Sequence, residues 1–181
     1  QNYLPLFREA AWLTVRLGFL GILFAIIIGL LCAWVQFLKV PVLRQIAVVY
    51  IELSRNTPLL VQLFFIYYGL PYFFGVTFSN IWTVSIIVVS INTGAYMAES
   101  VRGGIMSIDV GQFEGAKSIG MNHWQTMLYV VLPQTLRNIM PQIGNNFIIN
   151  VKDTSVMFII GFPDFFSSHR AAVGASYLYF P

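Results

Sequence analysis

The stretch Gly111–Pro133, GQFEGAKSIGMNHWQTMLYVVLP, is a polar island in a very apolar sequence. Asp109, with Gln112 three residues later, reads as a helix N-cap with its capping-box partner, so a short helix is expected to start near Val110. Gly120 reads as its stop, and Lys117 sits in the last turn, where the helix dipole favours a cation. Glu114 and Lys117 are spaced to pair on one face. Asn122 reads as the cap of a second helix that begins His123-Trp124-Gln125 and runs into apolar Met127–Leu132. The pattern is two short helices around a glycine hinge, between two membrane-length segments. Such an element is suited to being gripped by another protein.

The whole chain, island included, is 57% hydrophobic and 9% charged. Soluble domains carry about 25% charged residues, so the expectation is an all-α integral membrane protein. Leu17 to Leu38 contains no charge and is long enough to cross about 30 Å of hydrocarbon. It is too long for a signal peptide, and Trp34-Val35-Gln36 is no cleavage site. Residues 1–16 are mildly amphipathic, with Trp12 placed for the membrane interface. Gly18, Gly21 and Gly29 favour close helix packing. Asn56 to Ala98 is uncharged throughout and too long for one helix; Gly69-Leu70-Pro71 is expected to break it. The reading is one domain over 1–181, with spans at 17–38, 46–68, 81–101 and 127–151 and a loop at 107–126. Gly94 and Ala98 form a small-xxx-small pair for helix contact. Cys32, the single cysteine, reads as a small buried hydrophobe.

Basic residues set the orientation. Lys39, Arg44 and Arg55 fall in 39–57, and Arg102, Lys117 and Arg137 in 99–137, while 69–80 has none. The positive-inside rule puts 39–57 and 99–126 in the cytoplasm. The net charge of +3 forms no basic cluster, so no nucleic-acid partner is expected.

Polar groups in a bilayer are costly and face a bundle interior or a cavity. Gln142, Asn146, Asn150 and Asp153 lie on the fourth span within a wedge of about 80°. Pro133, Pro141 and the apolar run after Thr154 suggest an interrupted helix, which brings free backbone groups to the middle of a transporter. Asp153 is then a candidate for an ammonium, and Thr154 or nearby amides for a carboxylate: a receptor for a zwitterion. The plainer alternative is a stripe that bridges helices; it is preferred for Gln142 and Asn145. For Asn150 and Asn92 the two readings are balanced. For Asp153 the alternative is a local ion pair with Lys152.

Glu114-Gly115-Ala116, Gly120 and Val130-Val131-Leu132-Pro133 resemble the EAA loop of bacterial ABC importer permeases, with Gly115 for the middle Ala and Val130 for Ile. Ser54-Arg55-Asn56-Thr57-Pro58-Leu59-Leu60, Gly94-Ala95-Tyr96-Met97-Ala98-Glu99, Gly111-Gln112 and Lys152-Asp153-Thr154-Ser155 resemble the polar amino-acid branch of that family. The resemblance implies the transmembrane subunit of an ATP-driven amino-acid importer in the bacterial inner membrane. It implies that 107–126 is a cytoplasmic coupling helix, with Glu114, Gly115, Ala116, Lys117 and Gly120 meeting an ATP-binding subunit. Asp153 and Thr154 become substrate residues, with Asn146 helping to select the side chain. An amide at Asn146 suits a neutral polar substrate such as glutamine, or an acidic one. Further partners implied are a second permease chain, as homo- or heterodimer, and an extracytoplasmic amino-acid-binding protein. Five spans are implied, the last expected after Tyr179-Phe180-Pro181; Gln1 is no initiator, so a trimmed or incomplete chain is expected.

None of Lys39, Lys117 and Lys152 follows a glycine, so no P-loop is present and ATP with its Mg is expected on the partner. His123 and His169 lack metal-ligand spacing. Two rivals remain at this point. A membrane-embedded serine hydrolase would use Ser176 and His169, but Gly174-Ala175-Ser176 is no nucleophile elbow. A channel-like or structural subunit without ATP coupling shares the composition but leaves the Glu114–Pro133 pattern unexplained.

Overall fold

Helices account for nearly all the described residues, 4–37 and 40–176 of the computed structural model, and no strand occurs among them. Lys39 and the Tyr179–Pro181 end lie outside the described residues. α1 (Leu4–Phe37) has 34 residues, about 51 Å at 1.5 Å per residue. The sequence suggests a span at 17–38 preceded by a separate segment; the structure joins them in one helix. Nothing after the first turn breaks it, and Pro5 lies in that turn, where a missing N–H is tolerated.

α2 (Pro41–Asn56) buries a stripe of Ala47, Ile51 and Ser54 and leaves its other faces open. A second span over 46–68 is expected as one helix. Instead α2 and the helical stretch Leu59–Phe74 are bent by 113° at Thr57-Pro58. Thr57 is extended, φ −110 and ψ 126, because a residue before proline is pushed out of the α region. Gln62 stitches the corner: its Nε2 donates to the carbonyls of Ser54 at 2.8 Å and Thr57 at 2.9 Å.

The expected break at Gly69-Leu70-Pro71 does not occur. α3 (Leu59–Phe64) passes through a π-helical turn, Phe65–Gly69, into α4 (Leu70–Phe74). The wider turn accommodates Pro71, whose ring would clash with an α-helical carbonyl four residues back. The chain stops at Gly75, which takes a left-handed φ of 67.

α5 (Ile81–Met106) is the centre of the bundle and packs on α1, α2 and α8 (Leu132–Asp153). Asn80 caps it, accepting from the Trp82 amide at 2.9 Å. It runs past the 101 boundary expected from sequence, since Gly104 does not stop it but packs against Ile139 and Thr135 of α8. The α1–α5 seam is made close by glycine. A Cβ on Gly29 would stand 2.9 Å from the Met97 carbonyl carbon, and one on Gly94 would stand 2.8 Å from Ile28 and 2.9 Å from the Tyr50 hydroxyl. The main core cluster joins Leu17 of α1, Leu63 of α3, Val84, Val88 and Val89 of α5, and Met157, Ile160 and Phe162 beyond α8.

The segment expected at 127–151 begins as a second π-helical turn, Thr126–Val131, continues as α8, and passes at Thr154 into a 3-10 helix, Thr154–Ile160. From sequence the interruption is expected from Pro133, Pro141 and the apolar run after Thr154. The structure absorbs Pro133 with the π-turn, keeps Pro141 inside α8, and changes helix type only after Asp153. Among the described residues two helices are long and apolar enough to cross a membrane, Leu4–Gln36 and Ile81–Met106, and the bent α2–α4 pair makes a third if it is one broken span. α8, with its row of amides, is not among them, against four spans expected.

α9 (Phe165–Ser176) returns to the N-terminal part of α1. The Phe165 amide donates to Thr14 Oγ1 at 3.0 Å, and the Phe7 and Phe165 rings are 5.5 Å apart. Asp164 caps α9, accepting from the amides of Ser167 and Phe166.

Candidate functional site

Three elements meet at one cavity of about 370 Å³. The α2–α3 corner supplies Arg55, Asn56, Thr57, Pro58 and Leu59; α5 supplies Asn92 and Tyr96; the end of α8 supplies Asp153. The corner is fixed from both sides. Asn92 Nδ2 donates to the Ser54 carbonyl at 3.5 Å, beside the Gln62 bond to the same oxygen, and the Tyr96 hydroxyl donates to the Arg55 carbonyl at 3.5 Å. The Arg55 guanidinium lies over the Tyr96 ring, 5.7 Å from its centroid. Its Nη1 is 3.9 Å from Glu99 Oε2, and Arg102 hydrogen-bonds the other oxygen of that carboxylate. The cavity thus holds one cation, Arg55, and one anion, Asp153, among its lining side chains.

Of the sequence-derived site residues, Asp153 and Asn92 are brought together here. Thr154 is not. It is 1% exposed, its hydroxyl donates to the Val151 carbonyl at 2.8 Å, and it borders a different cavity of about 310 Å³ with Thr14, Lys152 and Asp164. One residue step rotates the side chain about 100° around the helix, which separates it from Asp153. Asn146 and Asn150 turn into the core and line neither cavity. Thr93 Oγ1 donates to Asn150 Oδ1 at 2.5 Å, while the amide nitrogens of Asn146 and Asn150 are buried without a partner. Gln142 and Asn145, expected to bridge helices, are exposed; Gln142 Nε2 donates within its own helix to Asn146 Oδ1 at 3.3 Å. Among the described residues Asp153 forms no ion pair with Lys152. The residues missed from sequence are Arg55, Asn56 and Tyr96. The segments 54–60 and 94–99 were singled out by resemblance, but nothing local says that a bend folds them against Asp153.

The second candidate surface is the polar island. α6 (Val110–Ser118) starts at Asp109, whose carboxylate accepts from the Gly111 amide at 2.7 Å. The capping box expected with Gln112 is not formed, because Gln112 Oε1 accepts instead from Gln134 Nε2 at 3.1 Å. Gly120, at φ 81, closes α6 with two bonds: its own amide donates to the Lys117 carbonyl at 3.0 Å, and the Met121 amide to the Ala116 carbonyl at 3.1 Å. Asn122 and Gln125 make a complete capping box for α7 (His123–Gln125). Glu114 and Lys117 are both exposed and, among the described residues, do not pair; water competes well for such charges. Ala116 is 4% exposed and packs inward, whereas a Cβ on Gly115 would meet nothing within 4 Å. Val110, Ile119, Trp124 and Tyr129 are exposed around this loop. His169, on α9, is exposed, and the side chain of Ser176 lies outside the described residues.

Residues 25–172 match the family of binding-protein-dependent transport system inner membrane components. The chain is 38% identical over 158 residues to the Escherichia coli K12 glutamine transport system permease protein GlnP, covering 87% of this chain and 72% of that one. It is 38% identical over 177 residues to the Bacillus subtilis probable amino-acid permease protein YxeN, covering 97% and 79%. The solved structure of an amino acid ABC transporter with histidines superposes with a TM-score of 0.91 at 38% identity, over 98% of this chain and 82% of that one. The MetNI methionine ABC transporter shares the fold at 18% identity, with a TM-score of 0.74 over 96% of this chain and 81% of that one. An all-helical bundle that superposes on an amino acid ABC transporter over 98% of its length, with residues 25–172 matching the family model, leaves one conclusion: the chain belongs to the family of binding-protein-dependent transport system inner membrane components.

Proposed function

We propose that this chain is the transmembrane subunit of an ATP-driven importer for a polar α-amino acid such as glutamine. The observation that carries the substrate class is the cavity lined by Arg55 and Asp153 with Asn92 between their helices. A zwitterion presents one carboxylate and one ammonium. Arg55 offers a planar, always charged donor fork to the first, and Asp153 an acceptor to the second. Asn92 adds a neutral amide for the rest of the molecule. Asn150 acts from behind the cavity: its bond with Thr93 ties α8 to α5 and helps aim Asp153, with Asn146 and Thr154 buried on the same stretch.

The α6–α7 loop is the coupling surface in this reading. It is cytoplasmic, with the 39–57 segment on the same side, and it meets an ATP-binding subunit that carries the ATP and Mg. Exposed Glu114 and Lys117, open Gly115 and the apolar rim of Val110, Ile119 and Trp124 are the contact groups; buried Ala116 and left-handed Gly120 hold their shape. A second permease chain completes the pathway, and an extracytoplasmic binding protein delivers the substrate.

The test is substrate binding to the importer purified in mild detergent. Asp153→Asn removes a charge-assisted bond of about 1.5–3 kcal/mol, so affinity for L-glutamine or a related neutral amino acid falls by at least about tenfold. The α-hydroxy analogue, which has no ammonium, is unaffected. Equal losses for both ligands would refute the assignment. Co-purification of an ATPase, lost with Glu114→Lys, tests the coupling surface; a chain that purifies alone would refute it.

A further inference from the structure

Arg55 is claimed by two sides. Arg55 lines the cavity, yet its Nη1 also stands 3.9 Å from Glu99 Oε2. That is the outer limit of an ion pair, between side chains that are both over a third exposed. Arg102, three residues on, holds the other Glu99 oxygen by a hydrogen bond. Glu99 therefore keeps a cationic partner whether or not Arg55 stays with it. Tyr96 gives the Arg55 guanidinium a flat surface, and the Tyr96 hydroxyl pins the Arg55 backbone.

We infer that Glu99 is a positioning residue that competes with the substrate α-carboxylate for Arg55, returning the guanidinium to itself as the substrate leaves. This rests on the zwitterion reading of the cavity. When a carboxylate enters, Arg55 exchanges one acceptor for another of the same charge, and Glu99 falls back on Arg102. When the site opens, Glu99 reclaims Arg55. The exchange lowers the net worth of the Arg55–carboxylate bond, so substrate is held loosely enough to be released. An importer needs that property at an intermediate site. Arg102 sets the strength of the competitor by sharing its charge.

Two variants move binding in opposite directions. Glu99→Gln removes the competitor and tightens L-glutamine binding to the purified importer by about two- to fivefold, the factor a solvent-exposed ion pair supplies. Arg102→Gln leaves Glu99 with Arg55 alone and weakens L-glutamine by a similar factor. Neither variant changes the affinity of the α-carboxamide of glutamine, which carries no negative charge for Arg55 to bind. In uptake, Glu99→Gln lowers both KM and kcat, because release slows, and Glu99→Asp restores both. Neutral α-amino acids paired with their carboxamides serve as the wider panel. The inference is overturned if both variants shift affinity in the same direction, if the carboxamide shifts as much as the acid, or if Glu99→Gln has no effect while Asp153→Asn weakens binding as expected. If neither Asp153→Asn nor Arg55→Gln affects binding of any acid in the panel, the zwitterion site itself is wrong and this inference falls with it.

Discussion

Gly29 and Gly115 are both helical glycines, and they stand in opposite surroundings. At Gly29 there is no room: a Cβ would stand 2.6 Å from the Met97 Cβ and 2.9 Å from its carbonyl carbon. At Gly115 there is nothing within 4 Å. Hydrogen at the first position lets two helices of this chain touch. Hydrogen at the second answers to no neighbour inside the chain. The difference separates a glycine that the fold requires from one that nothing within the chain requires.

The comparison can be broken most decisively at the seam. Gly29→Leu overpacks α1 against α5 and destabilises the chain by about 1–3 kcal/mol; thermal unfolding in detergent reads the loss. A melting curve unchanged by this variant would mean that the seam is not tight. Gly120→Ala forces a Cβ into a left-handed residue at φ 81, at a cost of about 1–2 kcal/mol. Its effect is local: protease cutting between Ser118 and Asn122 rises while the seam keeps its melting temperature. Asn122→Ala removes the side-chain half of the α7 capping box, the bond accepted from the Gln125 amide, and costs about 1 kcal/mol, seen as faster amide exchange over His123–Gln125. Gly115→Ala has the smallest effect and the opposite sign. It stabilises α6 by about 0.5–1 kcal/mol, since the new methyl meets open space. A bulky residue there leaves the isolated chain equally stable and reduces recovery of a co-purifying ATPase. Loss of stability at Gly115 would erase the distinction from Gly29.

Much of the α6–α7 loop was legible because its signals are local. Asn122 and Gln125 find each other three residues apart, and Gly120 supplies its own left-handed turn. Legibility failed where a distant residue competed. Gln112 has the right spacing from Asp109, but Gln134, far along the chain, takes its carbonyl. The cavity was half legible for the same reason. Asp153 stood out as a carboxylate in an apolar setting. Arg55 did not, because in sequence it is one of several scattered cations, and only the 113° bend at Thr57-Pro58 folds its turn against α5 and α8. Thr154 was paired with Asp153 by adjacency, yet neighbours on a helix face different ways, and its hydroxyl is spent on Val151. The prolines misled in turn. Pro71 and Pro133 read as breaks, whereas each follows a π-turn that lets the helix continue.

Those two π-turns carry a consequence for reading the family's patterns by counting. Each i→i+5 turn inserts about one residue beyond α-helical winding, so everything downstream is set back in phase by about 100°. A face drawn by counting from Asn122 in α7 does not continue onto α8, because Thr126–Val131 lies between them. The α6–α7 loop and Asp153 at the end of α8 therefore keep their relative aim only while the turn before Pro133 stays π-helical. Rewinding it to α would rotate the cavity's anion away from Arg55 without moving a single residue of the cavity in sequence.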